Sequence, residues 1–267
     1  MRRLVQAIAA TAALSATAAA QPAPTPAPPE MAGNRWSVAA GYESFALRDI
    51  SRNGRPPDAS PISWRGAGPS VSGRYDIDRG RSSHLIEATV SRAGDFTYEG
   101  PSRSTAAARS DLASRFAASY EYRRYPWRDV LFDGFDVGVG VQGLATHVGF
   151  ERHITQTLET RTRIAGGGFA AVVAVRVDRF DRLQVDATWT NGAVLSHRNA
   201  WHSSQEEDES YGGGNWLTNA MVRVNWRIAG TMHLTAAWRR DYDGYSSDHF
   251  SYAGHRHAVE FGVLYAP

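Results

Sequence analysis

From Ala258 the chain reads Ala258, Val259, Glu260, Phe261, Gly262, Val263, Leu264, Tyr265, so Val259, Phe261, Val263 and Tyr265 share one face of an extended segment. Such alternation marks a β-strand with one apolar face. Ten segments follow the pattern: 35–47, 63–77, 84–96, 108–123, 130–148, 164–177, 182–194, 216–228, 231–242 and 254–266. No stretch repeats at the spacing of an amphipathic helix. The expected fold is all-β, an antiparallel barrel of about ten strands forming one domain over 35–267, with eight strands if one weak pair is lost. Four connections are short (78–83, 124–129, 178–181 and Ala229-Gly230), and the five between them are long (48–62, 97–107, 149–163, 195–215 and 243–253). Short turns on one side and long loops on the other are the habit of transmembrane barrels.

Segment 216–228 displays the two faces. Trp216, Thr218, Ala220, Val222, Val224, Trp226 and Ile228 lie on one, and Leu217, Asn219, Met221, Arg223, Asn225 and Arg227 on the other. At about 3.3 Å per residue and a tilt of about 40°, Trp216 and Trp226 stand roughly 25 Å apart along the barrel axis, the height of an apolar belt between two aromatic girdles. Tyr75, Tyr120, Tyr122 and Phe135 fall toward turn ends, and Trp189 and Trp238 toward loop ends. A soluble barrel would turn the apolar face inward; the girdle spacing and loop asymmetry favour the membrane arrangement.

Composition refines this picture at the N-terminus. Arg2 and Arg3, the apolar stretch Leu4 to Ala16 and the small residues Ala18-Ala19-Ala20 form a signal peptide over 1–20, with cleavage before Gln21. Residues 21–34, rich in Pro and Ala, read as a periplasmic linker. All twenty-nine basic residues are Arg, two of them in the signal, which leaves twenty-seven basic against twenty-seven acidic residues. The basic pI of the whole chain therefore gives no reason to expect a nucleic-acid partner. With no Cys, stability has to come from a core or a closed hydrogen-bond network. Beyond the signal no apolar run approaches 18 residues, which excludes transmembrane helices but not transmembrane strands.

With the belt face outside, the inward positions are charged. The network is expected to centre on Arg74, Arg115, Arg176, Arg223 and Arg239 with Glu43, Glu87, Asp186 and Glu260. Arg123, Arg227, Arg256, Glu121, Asp136, Asp178 and Asp241 complete an inward set of eight basic and eight acidic residues. A lumen of about ten strands is narrow beside the 16–18 strands of open porins. Forked Arg–carboxylate pairs in such a space read as a plug. Inward Gly138, Gly140 and Gly168 are expected to make room for long Arg side chains.

The remaining motifs carry little chemistry. Gly138-Val139-Gly140-Val141-Gln142-Gly143 has the dinucleotide spacing but lies within a strand and opens no helix. The triplets Gly166–Gly168 and Gly212–Gly214 read as a strand entry and a loop hinge. His202, Ser203, Ser204 and Glu206 have the residue types of a nucleophile, base and orienter, yet they begin an acidic polar loop. His255 and His257 share a face near the loop end, but two ligands do not make a zinc site, and the loop carboxylates lack a calcium-loop pattern. No catalytic residue, cofactor or metal is expected.

The pattern over Arg35 to Pro267 resembles small bacterial outer-membrane β-barrels as a broad class. One departure is that Tyr265 is followed by Ala266 and Pro267, whereas the assembly signal of such proteins ends on an aromatic; Pro cannot donate to the ladder, so the strand should stop at Tyr265. The omptin family of ten-stranded outer-membrane proteases places an Asp pair and an Asp–His pair across its outer rim. The chain resembles it only in strand number and in rim carboxylates near Asp241, Asp243 and Asp248. Asp248 and His249 are adjacent, so their side chains diverge in an extended segment, and Asp95 and Asp111 each stand alone. The class resemblance implies location in the outer membrane, with membrane lipids and the assembly machinery as partners and an extracellular ligand at the long loops. The leading expectation is a structural or surface-interaction barrel with a plugged lumen; the alternatives are a narrow channel for small polar or ionic solutes and, third, a surface hydrolase.

Overall fold

In the computed structural model, residues 33–52, 62–93, 95–99, 109–110, 112–154, 157–180, 182–202, 207–246 and 250–267 are described. The expected signal, 1–20, and all of the expected linker but Gly33 and Asn34 lie outside this set; those two residues already belong to the first strand. The strands are β1 (Gly33–Arg52), β2 (Ile62–Asp78), β3 (Ser82–Ala93), β4 (Asp95–Glu99), β5 (Arg109–Ser110), β6 (Leu112–Trp127), β7 (Phe135–Ile154), β8 (Thr157–Phe180), β9 (Leu183–His202), β10 (Glu207–Ala229), β11 (Met232–Ser246) and β12 (Phe250–Tyr265). Each pairs antiparallel with its neighbours, β4 continues the line of β3 along β2, and β5 pairs with β4 ahead of β6. The result is ten staves, closed where β1 pairs with both β2 and β12.

Register determines the shape. Arg227 on β10 stands opposite His233, and the line continues through Leu264, Ser37, Arg74, Glu87, Ser119, Leu144, Gly168 and Val194 to Asn215, again on β10. One circuit thus climbs twelve residues, from Arg227 to Asn215. Ten staves about 4.8 Å apart, rising about 3.3 Å per residue, then tilt by about 40° around a backbone radius of about 10 Å.

The two faces separate as the alternation requires. On β10, Trp216 and Trp226 are about half exposed, whereas Leu217, Met221, Arg223 and Asn225 are buried. The outward belt includes Val38, Val71, Ile86, Val141, Phe169, Leu234 and Phe261.

Several boundaries differ from expectation. Three of the long connections, 149–163, 195–215 and 243–253, are largely strand: pairing reaches Ile154–Thr157, Trp201–Glu207 and Ser246–Ser251. These stretches are rich in polar residues and show no alternation in sequence, yet their backbones continue the ladder. β6 also runs past 123 to Trp127, with Pro126 in the register shift where a missing N–H costs no ladder bond. The next strand begins at Phe135 rather than 130, because Asp129 (φ 52°) and Gly134 (φ 81°) form a turn in which the Gly134 N–H donates to Asp129 Oδ1 at 2.6 Å.

Candidate functional site

The lumen is where chemistry-bearing side chains converge. Among the described residues, seven arginines and eight carboxylates are buried there, and Arg115 and Asp241 are partly buried. They meet at three levels.

Nearest the turn end, Asp78 accepts from Arg35 on β1 and from Arg176 on β8, both at 3.0 Å. Arg35 also donates to Gln184 on β9 at 3.1 Å, and Arg176 lies 3.7 Å from its cross-strand partner Asp186. The Arg176 guanidinium stacks 4.4 Å over the ring of Tyr125. Tyr125 occupies the place where a Cβ on Gly138 would sit, 2.8 Å from its ring. That glycine therefore makes room for a tyrosine, not for an arginine. Gly140 and Gly168 meet the neighbouring strands' backbone instead, so they mark close strand approach.

At mid-height Glu87 on β3 accepts from Arg239 on β11 and lies 3.5 Å from Arg223 on β10, the diametrically opposite stave. Glu121 takes Arg123 and the Gln142 amide, the latter at 3.2 Å. Glu260 accepts from Ser72 at 3.0 Å. Arg74 lies 3.5 Å from Asp76.

Toward the loop end Arg256 lies 3.0 Å from Glu43 and also contacts Asp241. Arg115 reaches across to both carboxylates, 3.6 Å from Glu43 and 4.0 Å from Asp241. Asp241 accepts further from Asn219. Above Glu87 lies a cavity of about 110 Å³ with two unlike walls. Leu144, Val194 and Leu217 form an apolar cluster on one side, and Arg115, Asp241 and Arg256 face it.

The structure thus places Arg74, Arg115, Arg176, Arg223, Arg239, Glu43, Glu87, Asp186 and Glu260 inside the barrel, although Glu260 is held by Ser72 and Arg74 by Asp76. Arg227 is only half-buried, and Asp178 is exposed at the turn end. Arg35, Asp76 and Asp78 were missed. Their signal was present: Arg35 has the parity of Glu43, and Asp76 and Asp78 that of Arg74. Ser203, Ser204, Glu206, Asp111, Asp248 and His249 lie outside the described residues. Among the described residues no group of three or more His, Cys, Asp or Glu could hold a metal ion.

No family model matches the sequence, and no curated protein matches it. Among solved structures the barrel is similar to the outer membrane protease OmpT of Escherichia coli, with a TM-score of 0.59 over 88% of this chain and 97% of that one, at 10% identity. The fold is that of the bacterial outer-membrane β-barrels. The translocator domain of autotransporter NalP from Neisseria meningitidis matches over 88% of this chain and 89% of that one, at 12% identity and a TM-score of 0.45. The toluene transporter TbuX of Ralstonia pickettii covers the same shares at 7% identity and a TM-score of 0.35. At these identities the likeness concerns the fold and not the chemistry.

Proposed function

We propose that this chain is a non-conducting outer-membrane barrel with a structural or surface-interaction role, exercised at its loop end. It spans the outer membrane with the turn end in the periplasm, where a cleaved signal would deliver it. The carrying observation is the pair of contacts that cross the full width of the lumen, Arg223 to Glu87 and Arg115 to Asp241. A further tier, Arg35 and Arg176 on Asp78, lies below them. A polar solute crossing from end to end would have to part buried ion pairs at each level, and stripping a buried charge of its partner costs about 3–5 kcal/mol. The cavity above Glu87 and the loops beyond it are what the outer face offers a ligand.

The test is planar-bilayer conductance of the barrel refolded in detergent, with heat-dependent gel mobility as the check on closure. A folded and silent barrel supports the plugged reading. Stable single-channel steps overturn it in favour of a narrow channel.

A further inference from the structure

The outward face carries an imbalance that the lumen does not. Among the described side chains, outward positions of the strands hold Arg65, Arg92, Arg124 and Arg240 with His84, His147, His255 and His257, and no carboxylate. Of these, Arg65, Arg92, Arg240 and three of the histidines lie toward the loop end. Inside the barrel the charges nearly cancel, so the all-basic outer wall is not a matter of composition.

The feature is most developed on β11 and β12. Arg240 stands directly opposite His257, and Tyr242 directly opposite His255. The Arg240 guanidinium carbon lies 4.6 Å from the centre of the Tyr242 ring, two residues nearer the loop end on the same strand. Tyr242 packs edge-on against His255, with ring centres 4.5 Å apart, and tilted against Trp216 at 6.3 Å. The barrel geometry puts the Arg240 backbone about three-quarters of the way from the Trp226 level to the Trp216 level. The side chain therefore climbs out of the apolar belt toward the girdle, as a cation rooted in hydrocarbon must. The guanidinium sits over the ring and Arg240 remains exposed, so its N–H donors stay open to the surroundings. No carboxylate pairs with it among the described residues.

We propose that Arg240, Tyr242, His255 and His257 form an external site for the phosphate of an outer-leaflet lipid headgroup. An exposed guanidinium placed over an aromatic ring keeps its planar fork of N–H donors, the group that takes phosphate bidentately. The aromatic rings and the belt below suit the acyl chains of the same molecule. A free anion lacks that second contact, which commits the site to a lipid. The inference rests on the membrane placement above but not on the lumen plug.

The experiment is thermal unfolding of the full chain in detergent, followed by gel mobility, with titrated lipid A, dephosphorylated lipid A or inorganic phosphate. Lipid A should raise the unfolding temperature, and the other two should leave it unchanged. Arg240→Ala should weaken the apparent lipid affinity about tenfold, equivalent to about 1.4 kcal/mol. Arg240→Lys should recover part of the loss, and Arg124→Ala, at the turn end, should have no effect. An equal shift in Arg240→Ala, or an equal response to dephosphorylated lipid A, overturns the site. A chain that folds in water without detergent would instead overturn the membrane placement itself.

Discussion

At mid-height two guanidinium groups, from β10 and β11, converge on the single side chain of Glu87. Replacing it by Ala leaves both cations buried without that partner. The expected loss is about 3–5 kcal/mol, read by urea unfolding in detergent. The Tyr125–Gly138 contact is a second residue-scale lock. Gly138→Ala drives a methyl into the Tyr125 ring and should cost about 1–3 kcal/mol. In a Tyr125→Ala background the same change should cost much less, and a double-mutant cycle measures that coupling. Parity along each strand was enough to place Glu87 and Gly138 inside, whereas Tyr125 fell in the connection expected over 124–129 and is inward because β6 continues to Trp127. It did not reveal that Gly138 serves Tyr125, since that depends on which residue of β6 lies beside it.

At the level of the strand, position along the chain is not height in the barrel. Each strand leans by about 40°, so residues at equal distance from their turns sit at different depths on different staves. Trp189, Trp238 and Tyr120 therefore fall near mid-belt, although their places in the sequence point toward strand ends. Phe261 is also close to the middle, outward and well exposed, whereas Ile228 lies at the turn-end margin. Phe261→Arg should cost about 2–4 kcal/mol in a bilayer and Ile228→Arg about 0–1 kcal/mol. Equal, small costs at the two sites in vesicle-based unfolding would contradict a hydrocarbon belt at this height.

Across the whole molecule, the tiers of ion pairs act in series. Opening the uppermost by combining Arg115→Ala with Glu43→Ala should enlarge the cavity yet leave the barrel silent in planar bilayers, because the Glu87 and Asp78 tiers remain. Adding Arg35→Ala, Arg176→Ala and Glu87→Ala should bring steady conductance if the barrel still closes, as its heat-dependent mobility would show.

Alternation by itself decided a great deal: the all-β class, the number of staves, the outward belt, and the inward facing of Glu43, Glu87, Arg223 and their neighbours. It could do so because a strand has a period of two, and a membrane barrel asks opposite chemistry of its two faces. Only the tertiary structure decided which charges meet. The twelve-residue climb per circuit brings Arg223 to Glu87 and Arg115 to Asp241, pairs 136 and 126 positions apart in the chain, and no local pattern encodes that offset. It likewise decided that the ladder continues through the polar segments up to Ile154 and Trp201, because backbone hydrogen bonds propagate there without any apolar face to announce them.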